Sequence, residues 1–221
     1  MEDTKVYWEE KFKGKGEVWG TQPSKAAILL VEDLHNYGNA YKNGKVIDIG
    51  CGYGRDMNYL YECGYKNLLG IDFSEEAVKL GQKAYPALHI LNTDIFEYDF
   101  SEKANIIFCN FIIHLLTDED KRKLLINRLY ENLEDNGLLY AAVSSDDDSE
   151  FKNGDVLGYN LVRNKRGVVK FYYNQQLIMK EFGGGAVIQY TAFEEEHTHD
   201  YNHTHINFLI KCCKQKEEMT K

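Results

Sequence analysis

A glycine-rich turn holds the residues whose types and spacing could do chemistry. Gly50, Gly52 and Gly54 follow a short apolar strand predicted at 45–49 and precede a helix predicted to begin at Arg55. Glycines at these positions let the chain turn sharply and bring its backbone close to a ligand. The first turn of the helix offers free N–H groups and a positive dipole end, which suit a carboxylate or a phosphate. The segment therefore predicts a binding site for a nucleotide-like cofactor.

Two acidic residues belong to the same pattern. Asp48 lies inside the first strand, and Asp72 ends the next predicted strand 24 residues further along the chain. An acid in the second position can accept hydrogen bonds from both hydroxyl groups of a ribose. Asp48 can hold the turn and, directly or through a water molecule, the ammonium group of a ligand. S-adenosylmethionine carries such a group, whereas a dinucleotide site has no need of one.

A dinucleotide site is the main alternative for this loop. The fingerprint G-x-G-x-x-G would require glycine at position 55, where the chain has Arg55, and Gly54 comes one residue too early. The pattern therefore favours S-adenosylmethionine over a nicotinamide cofactor. A nicotinamide-dependent oxidoreductase remains the alternative enzyme class. A non-catalytic nucleoside-binding protein of the same fold is the alternative outside the enzymes.

The segment from Asp48 to Gly54, read as D-I-G-C-G-Y-G, resembles the first motif of the class I S-adenosylmethionine-dependent methyltransferases. Four further motifs resemble the same family in its order, at Gly70–Ser74, Asn92–Asp94, Phe108–Leu116 and Leu133–Gly137, the last without its usual proline. The resemblance covers about residues 24–145. The N-terminal segments Tyr7–Phe12 and Trp19–Ser24 resemble small members related to the tellurite-resistance methyltransferases.

The resemblance implies a set of cofactor-binding residues. The glycine loop would hold the methionine end of S-adenosylmethionine, Asp72 the ribose, and Asp94 with Ile95 the adenine. The implied set is Trp19, Asp48, Gly50, Cys51, Gly52, Gly54, Arg55, Asp72, Phe73, Ser74, Asp94, Ile95, Asn110 and Phe111. Trp8 and Trp19 would close an aromatic lid. Some alternatives stay open, because Asp94 could cap a turn and Arg55 could lie on the helix surface.

His114 is the candidate catalytic residue. It follows the fourth strand, at the carboxyl edge where ligands bind in open α/β sheets. The resemblance places it with Asn110 and Phe111 on the methyl-transfer face, where it could act as a general base or contact the substrate. A packed histidine that begins the next helix is the alternative.

Two other groups of polar residues have alternative interpretations. His197, His199, His203 and His205 could bind a transition metal, contact the substrate as a base, or belong to a solvated loop. Since no cysteine or fixed geometry defines a tetrahedral site, we predict no metal. The acidic stretches Ser144–Glu150 and Glu194–Glu196 are typical of solvated, flexible loops.

Short strands that alternate with helices predict how these residues are positioned. Strands are predicted at 45–49, 67–71, 89–91, 105–109, 138–143, 168–173, 186–193 and 204–211, and helices at 25–35, 55–63, 75–85, 118–133 and 174–182. The expected fold is α/β and doubly wound: a mostly parallel seven-stranded sheet with an antiparallel last strand. We expect one domain, with a helical cap at 1–40, a cofactor-binding core at 45–145 and substrate-side loops and strands at 146–211. Residues 212–221 are expected to be a frayed tail.

Composition limits the partners. The chain has 221 residues, a net charge of −9 and 43% hydrophobic residues, so it can form a sizeable core but would repel a nucleic-acid backbone. We find no secretory signal and no apolar run of membrane-spanning length. The chain has five cysteines, and none of them forms a CxxC pair. We therefore expect a cytoplasmic protein without nucleic-acid or membrane partners, a monomer or homodimer. Its predicted reaction is methyl transfer from S-adenosylmethionine to a small-molecule substrate.

Overall fold

The computed structural model describes residues 2–184, 187–197 and 203–216. The chain divides into two compact units, residues 1–108 and residues 109–221, and each unit is described by itself. We refer to them as the N-terminal unit and the C-terminal unit.

The N-terminal unit contains the predicted alternation of strands and helices. Its elements are α1 (Glu2–Lys15), α2 (Lys25–His35), β1 (Val46–Ile49), α3 (Arg55–Glu62), β2 (Leu68–Asp72), α4 (Glu75–Ala84) and β3 (His89–Asn92), and β4 (Ala104–Asn110) runs across the boundary. Every residue of β1 and β2 is buried, as expected for apolar strands inside a parallel sheet. Ser24 and Ser74 are the N-caps of α2 and α4, because their hydroxyls accept hydrogen bonds from the backbone N–H groups of Ala27 and Ala77.

The C-terminal unit begins with a short 3-10 turn at Ile113–Leu115. Its further elements are α5 (Glu119–Glu131), β5 (Leu133–Ser144), α6 (Ser149–Asn153), β6 (Asp155–Gly158), β7 (Leu161–Arg163), β8 (Val169–Phe171), α7 (Gln175–Phe182), β9 (Val187–His197) and β10 (His203–Cys213). Strands β6, β7 and β8 form a small antiparallel sheet of their own.

The main sheet has seven strands in the order β3-β2-β1-β4-β5-β10-β9. Strand β2 runs parallel to both β1 and β3, while β10 runs antiparallel to both β5 and β9. This arrangement confirms the predicted fold class, a doubly wound and mostly parallel sheet with an antiparallel last strand. Among the described residues, no helix is long and apolar enough to cross a bilayer.

Three predictions about the C-terminal unit are wrong. The acidic stretch Glu194–Glu196 is not a loop, because it lies within β9 and pairs with β10. The acidic stretch Ser144–Glu150 is not a solvated loop, because Ser145 and Asp148 are buried and α6 begins within the stretch. The predicted tail from residue 212 is ordered at its start, since β10 continues to Cys213. Lys214 is also buried, because its ammonium group donates hydrogen bonds to the carbonyl oxygens of Glu131 and Leu133. Residues 217–221 lie outside the described part of the chain.

Candidate cofactor-binding and substrate-side residues

The glycine loop has the backbone that its sequence predicts. Gly50, Gly52 and Gly54 all have positive φ angles, of 70°, 57° and 82°, a region that residues with a β-carbon rarely adopt. A β-carbon at Gly54 would lie 2.9 Å from the Ile90 side chain, so a larger residue would clash. Helix α3 begins directly after this loop, with its first N–H groups at the position expected for an anion site.

Asp72 joins the glycine loop to the end of β2. Its carboxylate accepts hydrogen bonds from the backbone N–H groups of Gly52 and Ser74, both at 2.8 Å. Burial raises the pKa of Asp72 and the nearby Glu9 adds to this, while the two N–H groups lower it, with the result at about 6. Ser74 caps α4, so Asp72 is not needed for that role. The geometry leaves ribose binding as the prediction for Asp72.

Asp48 is a buried carboxylate with an unsatisfied oxygen. Its side chain is 3% exposed, and Oδ1 has no hydrogen-bond partner among the described residues. Burial raises the pKa of Asp48 well above its ordinary value, and the charges of Asp56 and Asp72 raise it further. An unpaired carboxylate oxygen beside other acids suits a cationic group. The residues therefore fit the ammonium group of S-adenosylmethionine, and they disfavour the negative pyrophosphate of a dinucleotide.

Cys51 lies inside the same loop and is buried. Burial raises the pKa of its thiol well above the ordinary value, and the charges of Asp48 and Asp72 raise it further. The thiol is therefore neutral at physiological pH and a poor nucleophile, and a contact of Cys51 with the cofactor stays a prediction.

The N-terminal segment packs over the glycine loop. Phe12 lies 3.6 Å from the point where a β-carbon at Gly52 would stand, and the Trp19 ring stacks on Tyr53 with centroids 6.3 Å apart. The Arg55 guanidinium donates to the Trp19 carbonyl oxygen at 3.1 Å, so Arg55 holds this segment. On α1, the Glu9 carboxylate accepts from the Ser74 hydroxyl at 2.6 Å. These contacts place aromatic side chains beside the glycine loop, and their role as a lid stays a prediction.

The residues predicted to bind adenine lie after β3. Asp94 and Ile95 are half-buried. Asp94 Oδ1 accepts a hydrogen bond from the backbone N–H of Phe96 at 2.9 Å, so the turn-cap alternative describes part of its role. Phe73, after β2, is also half-buried. Adenine binding by these residues stays a prediction.

The three predicted residues of the methyl-transfer face belong to the second half of the chain. Asn110 ends β4, and Phe111 follows it with a φ of 58°, an uncommon conformation for a bulky residue. His114 is 3% exposed, and its Nδ1 accepts a hydrogen bond from the backbone N–H of Ser144 at 3.0 Å. Burial lowers the pKa of His114 well below its ordinary value, and the positive charge of Lys170 lowers it further. With Nδ1 occupied as an acceptor, the neutral ring carries its proton on Nε2, so we interpret His114 as a hydrogen-bond donor rather than a general base.

Sequence reasoning missed the pairing of Asp148 with His205. Asp148 Oδ2 lies 3.0 Å from His205 Nδ1, and Asp148 is 1% exposed. The only local signal was the sequence Asp148-Ser149-Glu150, a typical helix start in which the aspartate caps α6. The partner lies 57 residues away along the chain, so no local pattern could have identified it.

Asp148, Glu150 and His205 also place three possible ligand atoms within 4.8 Å of one another. The Glu150 carboxylate, however, already accepts hydrogen bonds from Arg166 and Lys170, both at 2.9 Å. Two cations next to this carboxylate disfavour a further positive ion. The absence of a metal site remains a prediction. His199 and the side chains of His197 and His203 lie outside the described residues.

We expect the affinity for S-adenosylmethionine to fall as the pH is lowered through about 6, the pKa of Asp72. Ribose hydroxyls donate to the ionised carboxylate, so binding favours that form and releases a proton at lower pH. The affinity should fall up to about tenfold per pH unit below that value. Calorimetry between pH 5 and 7 would check this, with Asp72→Asn expected to weaken binding and reduce the slope. An affinity that is independent of pH over this range would contradict the assignment.

The family model described as "Methyltransferase domain" matches residues 46–137, which contain the glycine loop, Asp72 and Asp94. This match agrees with the resemblance to the S-adenosylmethionine-dependent methyltransferases that the motifs predict.

Three particular proteins illustrate the similarity. The human eEF1A lysine and N-terminal methyltransferase is 28% identical over 128 residues, which are 53% of this chain and 17% of the human protein. Magnesium protoporphyrin IX methyltransferase from Synechocystis, solved with bound S-adenosylhomocysteine, has a TM-score of 0.69 at 15% identity, over 96% of this chain and all of that one. TehB from Haemophilus influenzae has a TM-score of 0.59 at 16% identity, over 83% of this chain and 62% of that one. The two structural likenesses show the fold. The chain spans about half or less of the length of the first curated relatives it matches.

Proposed function

We propose that this protein transfers a methyl group from S-adenosylmethionine to a small-molecule acceptor. The observation that carries the proposal is the cluster of buried polar side chains in the C-terminal unit. His114, Asp148 and His205 are each less than 9% exposed. His114 follows β4, Asp148 follows β5, and His205 lies on β10, two residues before the residue that pairs with the end of β5. A few buried polar groups at that edge of an α/β sheet are typical of a small-ligand site.

We assign the chain's residues to cofactor binding and to the positioning of the acceptor. Asp48 would hold the ammonium group of the cofactor, Asp72 the ribose, and Asp94 with Ile95 the adenine. The cofactor supplies an electrophilic methyl group, so the protein has to orient the acceptor and to remove or tolerate its proton. We further propose one functional domain, with residues 1–40 as its cap, 45–145 as the cofactor-binding core and 146–211 as the substrate side.

A lysine side chain of a protein is the second candidate acceptor. Two observations favour it: the human relative is named as a lysine and N-terminal methyltransferase, and this chain has a net charge of −9, which attracts cationic partners. A lysine acceptor would also have to lose a proton before methylation. The two candidates therefore differ in the size of the substrate and not in the chemistry of the step.

An assay with radiolabelled S-adenosylmethionine would separate the candidates. The purified protein would be incubated with the low-molecular-weight filtrate of a cell extract, with dialysed extract protein, and with small thiols, phenols and amines. We expect label in small products. Label in protein alone would overturn the proposal in favour of the second candidate. Cofactor binding without any product would favour a non-catalytic role, and binding of NAD alone would contradict the cofactor assignment.

A further inference from the structure

A closed series of contacts in the C-terminal unit joins five side chains into one group. His114 Nδ1 accepts the backbone N–H of Ser144 at 3.0 Å, and the centroids of the His114 and Phe111 rings lie 5.7 Å apart. Phe111 also contacts Phe193, with ring centroids 6.5 Å apart. Asn207 on β10 is the register partner of both Phe193 on β9 and Ser144 on β5, which closes the series. We call these five residues the polar–aromatic cluster.

Sheet geometry places three of these side chains in one row. Residues directly opposite each other on antiparallel strands point to the same face of the sheet, with β-carbons about 4.5–5.5 Å apart. Ser144, Asn207 and Phe193 therefore lie side by side on one face. Ser144 is the last residue of β5, and Phe111 directly follows β4. The cluster thus lies at the carboxyl ends of β4 and β5, the edge at which ligands bind in open α/β sheets.

The three polar side chains of the cluster are buried and have unused hydrogen-bonding groups. His114, Ser144 and Asn207 are at most 4% exposed. Apart from the contact at His114 Nδ1, none of these side chains makes a hydrogen bond with a described residue. Their polar atoms keep a small solvent-accessible area, so a ligand can reach them. Because buried polar groups in proteins nearly always have a partner, three such groups side by side point to a ligand as that partner.

The polar groups define the hydrogen bonds that a ligand would make. With Nδ1 as an acceptor, a neutral His114 donates from Nε2. Burial and the charge of Lys170 hold the pKa of His114 well below its ordinary value, so the ring is neutral at physiological pH. The Asn207 amide can both donate and accept, and so can the Ser144 hydroxyl. A ligand with a carbonyl, ring nitrogen, N–H or hydroxyl group matches this set.

The aromatic members of the cluster favour a flat ligand. Phe193 is buried and Phe111 is half-buried, so the two rings offer an apolar wall beside the polar groups. Phe111 has a φ of 58°, and its backbone N–H donates to the Ala142 carbonyl oxygen at 3.0 Å, which holds this uncommon conformation. Aromatic rings pack well against other aromatic rings in stacked or edge-to-face arrangements. The wall is therefore suited to a planar aromatic molecule.

The charges near the cluster are paired, and the cluster itself has no charged side chain. Lys170, Glu150 and His205 are the charges that act on His114. Lys170 Nζ lies 2.9 Å from a Glu150 carboxylate oxygen, and His205 Nδ1 lies 3.0 Å from Asp148 Oδ2. An ionised ligand would lose its hydration here without gaining a counter-charge, which costs far more free energy than the burial of a neutral molecule. The cluster therefore favours an uncharged ligand.

We propose that the polar–aromatic cluster binds the methyl acceptor, and that this acceptor is an uncharged aromatic molecule with a hydrogen-bonding group on its ring. The proposal rests on the proposed function, because it names the class to which the small-molecule acceptor belongs. His114 Nε2 and the Asn207 amide bind the polar edge of the molecule, while Phe111 and Phe193 contact its flat face.

Three small probes test this class without turnover. 2-Pyridone is flat and aromatic with a carbonyl and an N–H group, 2-piperidone carries the same two groups on a saturated ring, and benzoate is aromatic but charged. Each would be titrated into the full chain with excess S-adenosylhomocysteine, and saturation-transfer NMR would measure its affinity. We expect 2-pyridone to bind about tenfold more tightly than either of the others and to shift the side-chain amide signals of Asn207. No binding of 2-pyridone, or equal binding of 2-piperidone or benzoate, would overturn the proposal.

Asn207→Leu separates a ligand-binding role of the amide from a structural one. Leucine is close to asparagine in size and removes an amide that makes no hydrogen bond with a described residue, so the variant should unfold at the same urea concentration as the unmodified protein, or at a higher one. Its affinity for 2-pyridone should fall about tenfold. Gln176→Leu, at an exposed amide on α7, is the matched control and should change neither measurement. A loss of stability in Asn207→Leu, or an unchanged affinity, would overturn the proposal.

The acceptor class and the proposed function fail in different measurements. Probe binding needs no turnover, so its failure together with labelled small products in the radiolabel assay would count against the aromatic class alone. Label in protein alone would overturn the proposed function, and the assignment of this acceptor would fall with it.

Discussion

Replacing Asp48 with asparagine should lower the affinity for S-adenosylmethionine about 100-fold. The carboxylate is buried, its Oδ1 has no partner among the described residues, and Asp56 and Asp72 add negative charge around it. Removing one partner of a buried charge pair costs about 2–5 kcal/mol of binding free energy. Asparagine keeps the shape of the side chain, removes its charge and replaces one acceptor oxygen with an NH2 donor, so the loss would measure what the carboxylate contributes through charge and hydrogen bonding.

The same substitution should not destabilise the unliganded protein. Burial raises the pKa of Asp48 in the folded state, so ionisation at neutral pH costs folding free energy that an amide does not. We expect Asp48→Asn to unfold at the same urea concentration as the unmodified protein, or at a higher one, while calorimetry shows the loss of affinity. The exposed Asp99→Asn is the matched control and should change neither measurement. Unchanged affinity in Asp48→Asn would contradict the assignment of the ammonium site.

Most of the N-terminal unit could be predicted because its signals are local. The apolar runs at Val46–Ile49 and Leu68–Asp72 are short, fully buried strands, and Ser24 and Ser74 precede helices as N-caps. The glycine loop could also be predicted. Its backbone needs a positive φ at Gly50, Gly52 and Gly54, and this conformation favours glycine, so the requirement is visible in the sequence. The sequence thus predicts the strand, turn and helix that form the candidate cofactor site.

The substrate side could not be predicted to the same extent, because long-range contacts determine it. The strand predicted at 168–173 contains β8, but all four residues of β6 are exposed, so no alternation of buried and exposed positions marked β6 as the edge of the same small sheet. The acidic stretch looked solvated because charge runs usually are, whereas Asp148 is buried through its contact with His205. For His114 the sequence left base and packed residue open, and only the hydrogen bond from Ser144 indicates its tautomer.

The second large effect is expected at a buried ion pair of the C-terminal unit. The Arg122 guanidinium donates to both oxygens of Glu181, with the shortest distance 2.9 Å, and both side chains are at most 2% exposed. Arg122 also donates to the carbonyl oxygens of Leu116 and Thr117, directly after the turn that contains His114. The Tyr173 hydroxyl completes the group by donating to Glu181 at 2.6 Å. The pair therefore fixes the segment that positions His114.

Glu181→Gln should lower the free energy of unfolding by about 3–5 kcal/mol, because it leaves the Arg122 cation buried without its counter-charge. Urea denaturation would measure this loss. The matched control is Glu119→Gln on α5, whose partner Lys123 is 43% exposed, so solvent screens the pair and little change is expected. The double variant Arg122→Met with Glu181→Leu should lose less than Glu181→Gln alone, since it removes both charges together. If the double variant instead loses more, the pair stabilises the fold through its own attraction and not merely by avoiding a lone buried charge.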